Sequence, residues 1–136
     1  LICSRDLAEK NDLKIRAAIK GRSVVGVDWK RMGKGPIPAT EKVLQNAGMS
    51  MDEIDVIELN EAFAAQSLYV IENGNWDRSR VNLNGGAIAL GHPLGCSGAR
   101  IITTLVNVME QENAKRGLAT MCIGSGQGIA TILGRD

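Results

Sequence analysis

The stretch NGGAIALGHPLGCSGAR, residues 84–100, contains five glycines and the single histidine of the chain, His92. Glycine allows positive φ or a close backbone approach to a ligand, and Pro93 stiffens the turn after His92. Residues 99–112 are predicted to form a helix, whose first amides lack intrahelical partners and favour negative charge. The stretch therefore predicts a site where an imidazole and free N–H groups face developing negative charge. The alternative is a glycine-rich connection with a histidine satisfied in the core.

Composition excludes several classes of protein. The 136 residues include 16 basic and 15 acidic side chains, scattered along the chain, so neither nucleic acid nor a membrane is expected as a partner. No run approaches the eighteen apolar residues of a membrane span. The three cysteines, Cys3, Cys96 and Cys122, are too widely spaced for a disulfide framework or a zinc site. We expect reduced thiols, no metal, and a cytoplasmic protein.

Periodicity and turn residues predict an alternation of strands and helices. Right-handed crossovers between them predict an α/β fold, with a mostly parallel mixed sheet, covering helices and a C-terminal antiparallel hairpin. The helix 99–112 is apolar on several sides, which predicts burial between two layers. The predicted helices are 4–11 (capped by Ser4 or Asp6), 39–47 (closed by Gly48), 61–71 (opened by Asn60) and 99–112; the strands are 23–27, 56–59, 81–83, 118–123 and 129–133; residues 28–38 are predicted as a loop.

Polar residues follow three of these strands: Asn60 with Glu61, His92, and Cys122 before the glycine-rich turn 124–126. Ligand sites of α/β proteins collect at such strand ends. A thiol near an imidazole, with amide donors, suits acyl transfer or proton abstraction beside a carbonyl. The turn amides predict a lowered pKa for Cys122. Each residue also has a structural alternative: Asn60 as a helix cap, Glu61 as a complement to the helix dipole, and Cys122 as core filler.

Three segments together resemble the C-terminal signatures of the thiolases. They are NEAF at 60–63, GHPLGCSG at 91–98 and CIGSGQG at 122–128, in the family's order and spacing. The similarity extends over the whole chain and includes MGKGP at 32–36. Because a thiolase consists of two related halves, the resemblance implies that residues 1–136 are a single C-terminal thiolase domain with a thiolase-type half fold.

The resemblance also implies a chemistry, the thiolester Claisen condensation of acetyl-CoA and its reverse, thiolysis of a 3-ketoacyl-CoA, by an acyltransferase of fatty acid metabolism. His92 would activate the nucleophilic cysteine and donate to an oxyanion hole. Cys122 would exchange the α-proton, and Asn60 would hold a water that stabilises the enolate together with His92. The N–H of Gly124 would complete a second hole around the acyl-enzyme.

Further implications concern substrate, partners and nucleophile. Met32 and Phe63 are expected, on weaker grounds, to line the substrate pocket, and CoA thioesters are expected as substrates without any other cofactor. The family forms homodimers or homotetramers. Its acylated cysteine belongs to the N-terminal half, so this chain alone is expected to be inactive, and Cys96 is not assigned as the nucleophile.

Two other functions compete with this interpretation. An independent Cys-His acyl hydrolase would use Cys96 or Cys122 as its nucleophile. A non-catalytic thiolase-like module for dimerisation or lipid carriage would need none of Asn60, His92 and Cys122.

Overall fold

The computed structural model describes residues 1–135 and contains a four-stranded sheet with helices on both faces. Its strand order is β1-β4-β3-β2. The strands are β1 (Ala18–Gly26), β2 (Val56–Leu59), β3 (Arg116–Ile123) and β4 (Gln127–Gly134); the helices are α1 (Arg5–Lys10), α2 (Pro36–Ala47), α3 (Ala64–Asn73), α4 (Ala87–Leu90) and α5 (Ser97–Gln111); short 3₁₀ helices span Trp29–Lys34, Met51–Glu53 and Arg78–Arg80.

The sheet is mixed, as predicted, but the expectation that it is mostly parallel is wrong. Only β2 and β3 pair in parallel, whereas β4 is antiparallel to both β3 and β1. The reason is that β1 does not pair with β2 but with β4, at the free edge of the C-terminal hairpin. The predicted hairpin itself, formed by β3 and β4, is confirmed. The predicted strand 81–83 is reduced to one parallel bridge between Val81 and Ile57, because Asn82 adopts a left-handed conformation (φ 52°) and turns the chain away.

Helix boundaries follow local signals at some ends and tertiary contacts at others. The Ser4 side chain caps α1 by accepting from Leu7 N–H, as predicted. Gly48 closes α2 with φ 64°, also as predicted. The predicted loop 28–38 is wrong, since it contains a 3₁₀ helix and the first turn of α2. Pro36 occupies that first turn, where its missing N–H costs nothing.

The start of α3 also differs from the prediction. Asn60 does not cap it, because the helix begins at Ala64 with Phe63 at the N-cap position. The three residues before Phe63 form an irregular segment after β2, and two of them bind partners elsewhere in the fold. The cap interpretation of Asn60 and the dipole interpretation of Glu61 are therefore corrected.

Two apolar clusters lie on opposite faces of the sheet, as the alternation of strand side chains requires. On one face, α2 packs against β1 and β4, and Ile57 and Leu59 of β2 belong to the same buried cluster. On the other face, α5 packs Ile101, Leu105, Val108 and Met109 against Val56, Ala119 and Leu133. Helix α5 thus buries one face, while its residues at 102 and 106 stay half-buried. In residues 1–135 it is covered by one layer, not the predicted two.

Backbone segments approach each other closely at the turn between β3 and β4. Gly126 has φ 85°, its carbonyl accepts from Val27 N–H at 2.7 Å, and a Cβ on it would lie 2.8 Å from the Cα of Trp29. A Cβ on Gly35 would lie 2.6 Å from the carbonyl oxygen of Gln127, and one on Gly128 would collide with the backbone of Gly35. These glycines fix the hairpin turn against the segment between β1 and α2.

Within residues 1–135, no helix is both long and apolar enough to cross a bilayer.

Candidate active site

Asn60 lies at the carboxyl end of β2, beside the end of β3. Leu59 is in register with Thr120, and the Asn60 N–H donates to the carbonyl of Thr120 at 3.0 Å, so the parallel pairing continues one residue past the strand. The Asn60 side chain is fully buried. A buried carboxamide is expensive to place in a core unless it is hydrogen-bonded, and its amide nitrogen has a partner in the next loop.

That partner is His92, which follows α4 in the glycine-rich loop. Gly91 ends α4 with φ 95°, and the carbonyl of Pro93 accepts from the N–H groups of Cys96 and Ser97 at 2.8 and 2.9 Å. The resulting turn folds His92 back over the first residue of α5. The Nδ2 of Asn60 lies 3.3 Å from the Nε2 of His92.

Ser97 is the hydrogen-bond partner of the other ring nitrogen of His92. Its buried hydroxyl lies 2.5 Å from His92 Nδ1 and donates its single proton to the carbonyl of Pro93 at 3.1 Å. With the hydroxyl proton on the Pro93 carbonyl, the hydroxyl oxygen accepts from Nδ1–H, which is one of the two tautomers that these contacts allow. Nε2 is then the unprotonated nitrogen, which matches the donor character of Asn60 Nδ2. This assignment, which rests on the hydrogen-bond pattern, leaves a basic lone pair on Nε2.

Asn82, which the sequence did not indicate, and Glu61 hold the segment around Asn60. The carboxamide of Asn82 accepts from Leu59 N–H and donates to Leu59 C=O, both at 2.9 Å, and also donates to Glu61 Oε1 at 3.0 Å. The other oxygen of Glu61 accepts from Ile88 N–H in α4 at 2.9 Å. Gly86 leaves room for this carboxylate, since a Cβ would lie 2.6 Å from Glu61 Oε1 and closer still to its Oε2. No local signal reveals these contacts, which depend on the folded path of residues 82–88.

Cys122 lies near the end of β3, at the same edge of the sheet as Asn60. It is buried, and burial raises the pKa of its thiol. The predicted lowered pKa is therefore wrong, because desolvation of the thiolate dominates. Within residues 1–135, no hydrogen bond joins Cys122 to Asn60 or His92. The structure brings the amide and the imidazole together and places the thiol on the adjacent strand end.

The remaining candidates are Gly124, Met32 and Phe63. Gly124 is exposed at the start of the hairpin turn, with open space at its Cβ position. Met32 is half-buried in the 3₁₀ helix, which Gln66 of α3 ties down by donating to the Gly33 carbonyl at 3.2 Å. Phe63, at the N-cap position of α3, is 62% exposed. Met32 and Phe63 thus lie on two segments that this hydrogen bond connects.

A buried carboxylate, also unforeseen from the sequence, lies two residues before Asn60. Glu58 is 1% exposed, and its Oε2 is 3.8 Å from Nη1 of Arg100 in α5. Within residues 1–135, neither its oxygens nor the guanidinium nitrogens have a hydrogen-bond partner. Burial raises the pKa of Glu58 to about 7; the charge of Arg100 lowers it and that of Glu61 raises it further. Glu58 therefore adds a buried titratable group two residues from Asn60.

Comparison with known proteins confirms the resemblance. A family model described as "Thiolase, C-terminal domain" matches residues 13–135. The 3-ketoacyl-CoA thiolase of Idiomarina loihiensis is 61% identical over 138 aligned positions, which cover 99% of this chain and 36% of that protein. The 3-ketoacyl-CoA thiolase of Acinetobacter baumannii is 59% identical over 137 positions, 99% of this chain and 35% of the relative.

Solved structures agree with the sequence comparison. A crystal structure of human mitochondrial 3-ketoacyl-CoA thiolase matches with a TM-score of 0.96 and 45% identity, over 98% of this chain and 34% of that one. The crystal structure of the Bacillus anthracis acetyl-CoA acetyltransferase matches with a TM-score of 0.94 and 43% identity, over 96% of this chain and 33% of that one. The chain spans about a third of the length of the relatives it matches.

Proposed function

The chain belongs to the thiolase family, and on that premise we propose that residues 1–136 are the single C-terminal domain of an acyltransferase. Its reaction is the reversible condensation of acetyl-CoA and the thiolysis of a 3-ketoacyl-CoA, acetoacetyl-CoA or a somewhat longer homologue. One observation carries the proposal: Nδ2 of Asn60 lies 3.3 Å from Nε2 of His92 at the carboxyl end of β2, and the hydroxyl of Ser97 lies 2.5 Å from Nδ1, the other ring nitrogen. This arrangement presents a base and an amide donor at one point.

In the thiolysis direction, the nucleophile is a cysteine thiol supplied by an N-terminal half. Nε2 of His92 takes the thiol proton, and the thiolate adds to the 3-keto carbonyl. The C2–C3 bond then breaks, leaving an acyl-enzyme and the enolate of acetyl-CoA. His92, now protonated at Nε2, and a water held by Asn60 donate to the enolate oxygen, where amide and imidazolium donors stabilise charge as it develops.

Cys122 completes the step by giving a proton to C2 of the enolate. Its raised pKa supports this role, because a thiol that stays protonated near neutral pH can act as an acid. The resulting thiolate becomes a thiol again in the second half-reaction, when it takes the proton of the CoA thiol and the CoA sulfur adds to the acyl carbonyl. The bond from that carbonyl to the nucleophilic cysteine then breaks, and the released thiolate takes back the proton from Nε2 of His92. The N–H of Gly124 donates to the oxyanion of that second addition. Met32 and Phe63 line the acyl pocket.

We further propose that CoA thioesters are the substrates without another cofactor, and that the enzyme is a cytoplasmic homodimer or homotetramer. Exposed free thiols at Cys3 and Cys96 suit a reducing compartment. Large exposed apolar side chains near the site, at Phe63, Leu90 and Leu94, support contact with an N-terminal half or a second subunit.

A chimera tests the proposal directly. The C-terminal 36% of the Idiomarina loihiensis thiolase is replaced by this chain, which aligns with it over 99% of its length. We expect the chimera to cleave acetoacetyl-CoA with CoA. Cys122→Ala and His92→Ala should lower kcat by at least about 100-fold, as the loss of a general acid or base does. Cys96→Ala, a matched change at an exposed cysteine, should leave kcat unchanged.

Acetyl mapping separates the proposal from its rivals. The chimera and the isolated chain are incubated with acetyl-CoA, digested and analysed by mass spectrometry. Acetyl on a cysteine outside this chain, with none on the isolated chain, agrees with the proposal. Acetyl on Cys96 or Cys122 of the isolated chain would establish the acyl hydrolase instead. An inactive chimera without acetyl on any cysteine would refute the proposal and favour the non-catalytic thiolase-like module.

A further inference from the structure

Asn82 is a half-buried residue in a left-handed conformation, at the point where the chain turns toward the glycine-rich loop. Its N–H donates to the carbonyl of Ile57 at 2.8 Å, and Val81 forms a parallel bridge with the same Ile57. The backbone of residues 81–82 is therefore attached to β2. In an extended conformation, the residues after Asn82 would continue this pairing with β2. The left-handed conformation of Asn82 (φ 52°) turns the backbone away from β2 instead.

Beyond this point the side chain of Asn82, instead of the backbone, forms the hydrogen bonds to β2. Its Oδ1 accepts from Leu59 N–H and its Nδ2 donates to Leu59 C=O, both at 2.9 Å. A carboxamide carries one acceptor and one donor group in a plane, as a peptide group does, so it satisfies both backbone groups of the last residue of β2. Leu59 immediately precedes Asn60, whose position is therefore fixed on its N-terminal side.

The same carboxamide also fixes the C-terminal side of Asn60. Nδ2 donates a second hydrogen bond to Oε1 of Glu61 at 3.0 Å, and Oε2 of Glu61 accepts from Ile88 N–H at 2.9 Å. Ile88 lies in α4, which runs directly into the loop of His92. Asn82 thus connects both neighbours of Asn60 to the segment that carries the imidazole.

We propose that Asn82 is a positioning residue for the reaction, which holds the amide of Asn60 within hydrogen-bond distance of His92 Nε2. The expected effect of Asn82 on catalysis rests on the proposed thiolase function. Its expected effect on the position of Asn60 relative to the imidazole does not depend on that function. Asn82 touches neither the imidazole nor, in the proposed mechanism, any reacting atom. It acts through Leu59 and Glu61.

The test uses Asn82→Gly, because glycine accepts φ 52° and only the carboxamide is lost. Asn75 offers a matched control: it is exposed after α3 with φ 53°, so Asn75→Gly makes the same change at the same backbone angle away from the site. In the chimera, we expect Asn82→Gly to lower kcat by about 10- to 100-fold, as misplacement of a catalytic group by about 1 Å does. KM for CoA and the Asn75→Gly enzyme should be unchanged.

A second readout does not depend on activity. His92 is the single histidine of the chain, so its two ring nitrogens give an unambiguous pair of ¹⁵N signals in the isolated chain. Asn60→Ala removes the donor to Nε2 and defines the shift of that signal. Asn82→Gly should move the Nε2 signal in the same direction, whereas Asn75→Gly should not. If Asn82→Gly loses its far-UV circular dichroism, Asn82→Asp replaces it, since it keeps the acceptor for Leu59 N–H and lacks the donor.

The outcomes separate the two proposals. Unchanged ring signals and unchanged kcat in the position-82 variants would overturn the positioning role. An inactive parent chimera, together with the expected change in the ring signals, would overturn the thiolase function and leave the positioning of Asn60 intact.

Discussion

Replacing Glu58 by Gln should abolish a large part of the pH dependence of stability. Glu58 lies in the middle of β2 and is 1% exposed, and Arg100, at 3.8 Å, forms no hydrogen bond with it. Desolvation is therefore poorly compensated, and it raises the pKa of Glu58 from the usual 4.5 to about 7. Gln has the shape of the protonated side chain and cannot ionise.

The sign of the effect follows from the order of the two pKa values. Between pH 4.5 and about 7, the folded chain holds a proton on Glu58 that the unfolded chain releases. The free energy of unfolding of the parent therefore falls as the pH rises through this window. A difference of roughly two and a half pKa units corresponds to about 3 kcal/mol in total, of which about 2 to 3 kcal/mol is lost between pH 5 and pH 8.

Urea unfolding at half-unit steps from pH 5 to pH 8 measures this loss. The stability of Glu58→Gln relative to the parent should rise by about 2 to 3 kcal/mol across the range, while its offset at pH 5 reports the new amide beside Arg100. Other titrating groups contribute equally to both chains and cancel in the difference. Glu72→Gln, at an exposed position of α3, should run parallel to the parent. Parallel curves for Glu58→Gln would refute the reasoning, since Glu58 would then be ionised throughout.

Two further predictions concern packing. Leu105→Ala should lower the free energy of unfolding by about 2 to 5 kcal/mol, because Leu105 is fully buried between α5 and the sheet; Leu94→Ala, at an 84% exposed position, should change it by less than about 0.5 kcal/mol in the same urea titration. Gly126→Ala should cost more than about 2 kcal/mol, since it combines φ 85° with a Cβ 2.8 Å from the Cα of Trp29. Gly26→Ala, where nothing lies within 4 Å, should be neutral or slightly stabilising, and equal losses for the two glycines would contradict the steric explanation.

Local signals predicted the parts of the fold that local physics determines. The strand Val56–Leu59 has the predicted bounds, and Gly48 closes α2, as predicted, in a left-handed conformation. Pro36 was available as a sign that α2 starts earlier, because proline is favoured in the first turn of a helix. The start of α3 was misjudged for a different reason: Asn60 is an excellent cap by type, but its side chain is held by His92. A tertiary contact overrode the local preference.

The site was predictable as a set of residue types and not as a geometry. Asn60 and His92 could be selected because each follows a strand or a glycine turn, and the structure brings them within 3.3 Å. Asn82 could not be selected, since its role depends on a left-handed backbone angle and on the approach of Leu59. The pKa of Cys122 was predicted in the wrong direction because burial is a property of the assembled sheet.

The contact between Gly35 and Gly128 restricts which substitutions this protein can accept during evolution. A Cβ on Gly128 would collide with the backbone of Gly35, and a Cβ on Gly35 would collide with the backbone of Gln127 and Gly128. In both cases the obstructing atoms belong to the main chain. A clash between two side chains can be relieved by shortening one of them, but no exchange of residues elsewhere shortens a backbone. Random diversification of this corner should therefore yield no compensating second-site changes, whereas Gly26, with open space at its Cβ position, should accept new residues without any neighbour having to adapt.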